Sequence, residues 1–127
     1  MKKLIPILLS ALLFTGCAST NNQTNTYRQI SMDEAVNMME QEIGYIILDV
    51  RRADEFAAGH IPGAINVANE SIGTDDIPEL PNKDQLILVY CRSGRRSKEA
   101  SEKLVKLGYT NIVEFGGILD WKGEIET

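Results

Sequence analysis

The segment Tyr90-Cys91-Arg92-Ser93-Gly94-Arg95-Arg96-Ser97 concentrates the reactive chemistry of this 127-residue chain. A single thiol, Cys91, follows the apolar run Leu86-Ile87-Leu88-Val89-Tyr90, and Arg92, Arg95, Arg96 and Lys98 come within seven positions of it. Strand, short glycine-containing turn and then helix is the geometry that aims backbone N–H groups at one point. A helix N-terminus carries partial positive charge and unpaired donors, so it stabilises an anion placed there. The same field favours the thiolate, which is the nucleophilic form of cysteine. The spacing therefore makes Cys91 the candidate nucleophile and Arg92, Ser93, Gly94, Arg95, Arg96 and Ser97 the candidate binding residues for a small anion.

The rest of the chain makes this cluster stand out. The formal net charge is −5, and removal of residues 1–16 takes away Lys2 and Lys3 and no acid, moving it to about −7. A domain so acidic has no general affinity for nucleic acid, which needs a basic surface. The cations after Cys91 are local focusing of charge, suited to a small ligand. One histidine, His60, and one free cysteine cannot close a zinc site, so no metal is expected, and no cofactor either.

The first residues read as an export signal. Met1-Lys2-Lys3 is a basic start, Leu4 to Phe14 is largely apolar, and Thr15-Gly16-Cys17 ends in cysteine. The apolar run falls well short of the roughly 20 residues of a membrane-spanning helix. Leu13-Phe14-Thr15-Gly16-Cys17 resembles the lipobox of bacterial lipoproteins, which implies cleavage after residue 16 and a lipid on Cys17. Residues 17–26 are then a polar tether, and residues 27–127 one domain of ordinary size. The expectation is an exported, membrane-anchored lipoprotein facing the periplasm or cell surface, with outer-membrane sorting favoured because Ala18 follows Cys17. With Cys17 lipidated, Cys91 has no partner for a disulfide, and a leftover thiol in an exported protein points to reactivity.

Along the domain, Tyr27 to Ile30 is a short edge strand, and Ser31-Met32-Asp33-Glu34 is a capping box that opens a helix ended by Gly44. Tyr45 to Val50 reads as a buried strand, Arg52 to Ala58 as a short helix, and His60-Ile61-Pro62-Gly63 as a tight turn with Pro62 and Gly63 at its central places. Ala64 to Val67 is a strand, and Asn69 to Lys83 is irregular. Leu86 to Tyr90 is the strand that feeds the cysteine. Ser97 to Leu107 is an amphipathic helix capped by Gly108, and Ile112 to Phe115 is the last strand. Strands alternating with helices predict an α/β domain with a parallel sheet covered on both faces. Ligands bind beyond the carboxyl ends of such strands, where Cys91 and Asp49 both fall.

Three blocks of this domain resemble the rhodanese family of sulfurtransferases. They are Asp49-Val50-Arg51 with Glu55-Phe56 and Gly59 to Asn66; Tyr90 to Ser97; and Gly116-Gly117-Ile118-Leu119-Asp120-Trp121. The resemblance implies a three-layer sandwich, with a mostly parallel sheet of about five strands and helices on both faces. It implies that Cys91 takes the outer sulfur of an anionic donor such as thiosulfate, sulfite leaves, and a thiol or cyanide removes the sulfur from the persulfide. Arg92 and Arg95 are the first choices for holding the donor; Arg96 instead points into the protein and braces the loop. Asp49 accepts hydrogen bonds or pairs with Arg51, both as possible supporting residues. Glu55 is a partner for an arginine, His60 is structural and Trp121 is a core or lid residue. A monomer is expected.

Rival chemistries fit less well. A phosphatase or arsenate reductase loop needs an arginine where Ser97 stands, and Tyr90 replaces the histidine that usually precedes the nucleophile. A Cys–His hydrolase would need His60 near Cys91, although it lies in a Pro-Gly turn far along the chain. A binding module without catalysis remains as the alternative of a different class.

Overall fold

The computed structural model describes residues 26–127. The expected signal peptide, Cys17 and nearly all of the tether lie outside the described residues. Five strands form one parallel sheet: β1 (Arg28–Gln29), β2 (Ile46–Asp49), β3 (Ile65–Asn66), β4 (Ile87–Cys91) and β5 (Ile112–Gly117), in the order β1-β5-β4-β2-β3. Three helices cover it: α1 (Met32–Gln41), α2 (Ala53–Ala58) and α3 (Arg95–Lys106). The α/β sandwich with helices on both faces is as the sequence predicts.

β4 is the middle strand and is buried at all of its residues. Strand alternation divides its side chains between two cores. Ile87, Val89 and Cys91 join Leu48, Val50, Ile112 and the inward residues Ala100 and Leu104 of α3. Leu88 and Tyr90 face the other way, against Val113, Phe115 and Ala35 of α1, with Phe56 of α2 packed alongside. The irregular stretch to Lys83 closes the α3 side through Ile72, Ile77 and Leu80. It is tied down where Tyr109 Oη donates to Leu80 O at 2.6 Å and Lys83 Nζ to Leu107 O at 2.8 Å.

Local chemistry sets the ends of the elements. At α1 the capping box is complete, with Glu34 N–H on Ser31 Oγ at 3.1 Å and Ser31 N–H on Glu34 Oε1 at 3.0 Å. Such a cap contributes about 1 kcal/mol. Ile61-Pro62-Gly63-Ala64 is the expected turn, closed by Ala64 N–H on Ile61 O at 3.0 Å, with Gly63 at φ 84°. α3 stops in a Schellman motif, Gly108 N–H on Val105 O and Tyr109 N–H on Leu104 O. Its start differs from expectation by two residues. Gly94, at φ 119°, takes the N-cap place, so Arg95 and Arg96 are already helical.

β5 carries an irregularity that matters for the site. Val89 pairs with Glu114, but Cys91 pairs with Gly117, so β5 has one extra residue between the two pairs. The bulge brings Gly117 level with the thiol. A Cβ on Gly117 would lie 2.1 Å from Arg92 O, so this close approach requires glycine.

The core's contribution is checked at α3. Leu104 has no exposed surface, and Leu104→Ala is expected to lower unfolding free energy by about 3 kcal/mol in urea denaturation. Ile43, 92% exposed, serves as the contrast: Ile43→Ala should stay within about 0.5 kcal/mol of the parent.

Candidate active site

Cys91 is the last residue of β4, and its side chain faces α3 with only 1% of the residue exposed. Gly94 N–H donates to Sγ at 3.0 Å, and Ser97 Oγ lies 3.4 Å from the sulfur. The sequence led us to expect loop amides from Arg92 to Ser97 around the sulfur. In the structure Gly94 supplies the amide that bonds it. Its positive φ leads the chain from that N–H into the first turn of α3, a conformation glycine adopts without a Cβ clash. The N–H groups of Arg95, Arg96 and Ser97 belong to the first turn of α3, before helical pairing starts with Lys98 N–H on Gly94 O at 3.3 Å. They give that helix end its positive potential rather than direct bonds to sulfur.

Beside the loop that follows Cys91 opens a cup of about 520 Å³ whose walls carry Arg52, Arg92, Arg95 and Arg96 together with Glu55, Glu70 and Glu99; Cys91 itself does not line it. Ser93 also lines it, whereas Gly94 and Ser97 are buried below. The cup is therefore less cationic than the sequence around Cys91 suggests. Glu55, distant in sequence, folds onto Arg96, and Glu99 pairs with Arg95 from the next helical turn. Arg96 binds Glu55 in a bidentate pair, 2.7 and 3.1 Å, with both side chains largely buried. The Arg96 hydrogen bonds lower the Glu55 carboxyl from its ordinary value of 4.5 to about 2, against the opposing effect of burial. Arg96 itself is held above its usual range, first by its hydrogen bond to Glu55 and against the opposing effect of burial. Arg95 pairs with Glu99 at 3.0 Å in an exposed i,i+4 contact. Among the described residues Arg92 is the cup arginine without a carboxylate partner. Of the loop arginines, Arg92 is thus left free, Arg95 is weakly engaged and Arg96 braces α2 against α3.

Asp49 and Arg51 are not brought to the thiol. They lie on the opposite face of the sheet, both buried, with Arg51 Nη2 2.7 Å from Asp49 Oδ2 and donating to Gly59 O at 2.6 Å. The pair fixes the β2–α2 turn, and Arg51 also sits over the Tyr90 ring. Tyr90 Oη accepts from Ile61 N–H at 3.0 Å, and burial raises its ionisation well above the ordinary phenol range. His60 stacks on Phe56 at 3.7 Å, shares a hydrogen bond between Nδ1 and Phe56 O, and places Nε2 3.3 Å from Glu126. Trp121 packs partly against the α1 side of the sheet and donates to Glu124 O. Leu119 N–H holds Arg92 O at 3.2 Å, so the turn after β5 pins the loop.

Sequence reasoning passed over Glu114. It is 2% exposed on β5, and its Oε2 lies 2.5 Å from Ser97 Oγ and accepts Gly116 N–H at 3.0 Å. The signal was available: in a strand buried on both faces, Glu114 shares the inward phase of Ile112 and must be buried.

The Glu55–Arg96 pair has a pH signature. Its carboxyl is lowered on folding, so the pair contributes in full above about pH 4.5 and loses that contribution as pH falls towards 2. Glu55→Gln is expected to be less stable than the parent near neutral pH. Thermal unfolding followed across this acid window should show the gap closing.

The comparisons with known proteins agree with this architecture. The family model for the rhodanese-like domain matches residues 31–124. The thiosulfate sulfurtransferase GlpE of Pseudomonas putida is 34% identical over 97 residues, 76% of this chain and 86% of that protein. The thiosulfate sulfurtransferase PspE of Escherichia coli is 34% identical over 73 residues, 58% of this chain and 70% of its own length. Among solved structures, a rhodanese with anions from E. coli superposes with a TM-score of 0.59 at 30% identity, over 65% of this chain and 98% of that one. A rhodanese-like domain protein from Staphylococcus aureus gives 0.64 at 29% identity, over 78% and 96%. A parallel five-stranded sheet with its lone described cysteine at the end of the central strand, matched across residues 31–124, places this chain in the rhodanese-like domain family.

Proposed function

We propose that this domain is a sulfurtransferase that carries sulfane sulfur as a persulfide on Cys91. The observation that carries the reading is the position of Sγ: it accepts the Gly94 N–H at the N-terminal end of α3, in the loop whose Arg92 and Ser93 line the neighbouring cup. Names of relatives support the substrate class, since GlpE and PspE are called thiosulfate sulfurtransferases. In the first half-reaction the Cys91 thiolate attacks the outer sulfur of thiosulfate. A sulfur–sulfur bond forms at Cys91, the donor's sulfur–sulfur bond breaks, and sulfite departs with its electron pair. In the second, a thiolate or cyanide attacks the outer sulfur, and Cys91 leaves as thiolate.

Arg92 supplies the hydrogen bonds to the donor's oxygens, each worth about 1.5–3 kcal/mol with a charged partner. The Gly94 N–H and the first turn of α3 stabilise negative charge on either sulfur of the persulfide in a preorganised way. A thiol only 1% exposed favours small reagents over bulky ones. Phosphate chemistry suits this loop poorly, because Ser97 stands where the needed arginine would be.

The same proposal extends to location. Residues 1–17 have the pattern of a lipoprotein export signal, so lipid on Cys17 holds the domain outside the cytoplasm. Labelled palmitate should enter the full-length chain in a bacterial host and fail to enter Cys17→Ser; equal labelling of both removes the anchor.

Incubation with thiosulfate is expected to add the mass of one sulfur to the parent protein, and added cyanide to release thiocyanate. Cys91→Ser should do neither. A parent protein that stays unmodified with thiosulfate, polysulfide and a low-molecular-weight persulfide would remove the sulfurtransferase reading and leave a binding module.

A further inference from the structure

Glu114 has no role in the sulfur chemistry above, yet it is the charged side chain on the α3-facing side of β4 and β5. Among the described residues it makes no ion pair; its contacts are Ser97, Gly116 N–H and, at 3.5 Å, Gln29 Nε2. A carboxylate withdrawn from water without a cation is strongly disfavoured unless a donor or a proton compensates it.

A proton count locates that compensation. Ser97 Oγ lies 2.5 Å from Glu114 Oε2 and 2.9 Å from Gly94 O, and 3.4 Å from Cys91 Sγ. A hydroxyl has one proton, and both a carbonyl and an ionised carboxylate only accept. Gly94 O also accepts Lys98 N–H at 3.3 Å, but Ser97 Oγ still meets two acceptors, Gly94 O and an ionised Glu114, with one proton between them. A second proton in the cluster resolves the conflict, and the group that must lose one to become a nucleophile is Cys91.

We propose that Glu114 holds the proton of Cys91, delivered through the Ser97 hydroxyl. The S–H bond breaks and its proton passes to Ser97 Oγ, while the original Ser97 proton passes to Glu114 Oε2. The products are a thiolate, an intact hydroxyl and a neutral carboxylic acid, with one negative charge in the cluster before and after. The acid then donates to Ser97 Oγ, and Ser97 donates to Gly94 O or to the sulfur. Glu114 touches no substrate; it is a positioning residue that acts through Ser97. The proposal rests on Cys91 being the nucleophile of the sulfur transfer, and its test is chosen not to depend on sulfur.

The test is the rate of Cys91 alkylation by iodoacetamide in the intact domain at neutral pH. Glu114→Gln cannot take the proton, and its rate is expected to fall at least tenfold. Ser97→Ala breaks the bridge and should fall similarly. Ser101→Ala, on the same buried face of α3 and with a hydroxyl that has no hydrogen-bond partner, should react like the parent. A spectator carboxylate predicts the opposite sign, because removing a negative charge beside a thiol favours its ionisation. An unchanged or faster rate in folded Glu114→Gln therefore overturns the proposal. Should that variant fail to fold, infrared difference spectra of the parent protein with carbon-13-labelled glutamate decide. Alkylation of Cys91 is expected to convert one carboxylic acid to carboxylate, and no carboxyl change overturns the relay. If both readouts hold while thiosulfate leaves no persulfide, only the sulfurtransferase reading falls.

Discussion

The contact between Gly94 N–H and Cys91 Sγ, 3.0 Å long, is where the fold and the proposed chemistry meet. Cys91 ends a strand that is buried along its whole length, so its sulfur lies in a core and needs polar partners to exist as an anion. The turn that leads from β4 into α3 must therefore reverse within three residues and aim a donor back at the strand end. Gly94 supplies that donor and, at φ 119°, leads on into α3 through a backbone region that other residues enter only at a steric cost. Everything else around the site holds that turn. The β5 bulge sets Gly117 against Arg92, Leu119 N–H takes the Arg92 carbonyl, and Ser97 ties the helix start to Gly94 O.

Charge pairing then decides what the loop can bind. Four arginines and three glutamates share one open cup, and the most buried pair, Arg96 with Glu55, is spent on joining α2 to α3. What remains for a ligand is Arg92, with the positive end of α3 behind it. That combination suits a small anion approaching the loop, and it offers little to a polyanion. Specificity thus comes from which arginines are already engaged, not from how many are present.

Much of this arrangement was legible in the sequence, because the signals were local. Apolar runs gave the strands, the capping box gave α1, and the turn between strand and helix placed Cys91 at the carboxyl end of a strand. The bracing role of Arg96 and the Asp49–Arg51 pair were also open to local reasoning. Two features were not. Glu55 and Glu70 reach the cup only through the folded chain, and Glu99 from the next turn of α3, so a count of cations near Cys91 overstated its positive charge, although an arginine partner for Glu55 was expected. Glu114 sits in an ordinary-looking strand, and its partner Ser97 is a helix residue; only sheet pairing through a bulge reveals that they meet. The start of α3 was missed by two residues because Gly94 caps by conformation, without a capping side chain.

The central claim is that sulfur is held at Cys91 beneath the first turn of α3. A crystal structure of the protein after thiosulfate treatment addresses it most directly. The account predicts one additional sulfur bonded to Cys91 Sγ, lying within hydrogen-bond reach of the loop amides, with Gly94 still in its left-handed conformation. An unmodified Cys91, or a modified one swung out of the loop into solvent, would contradict it.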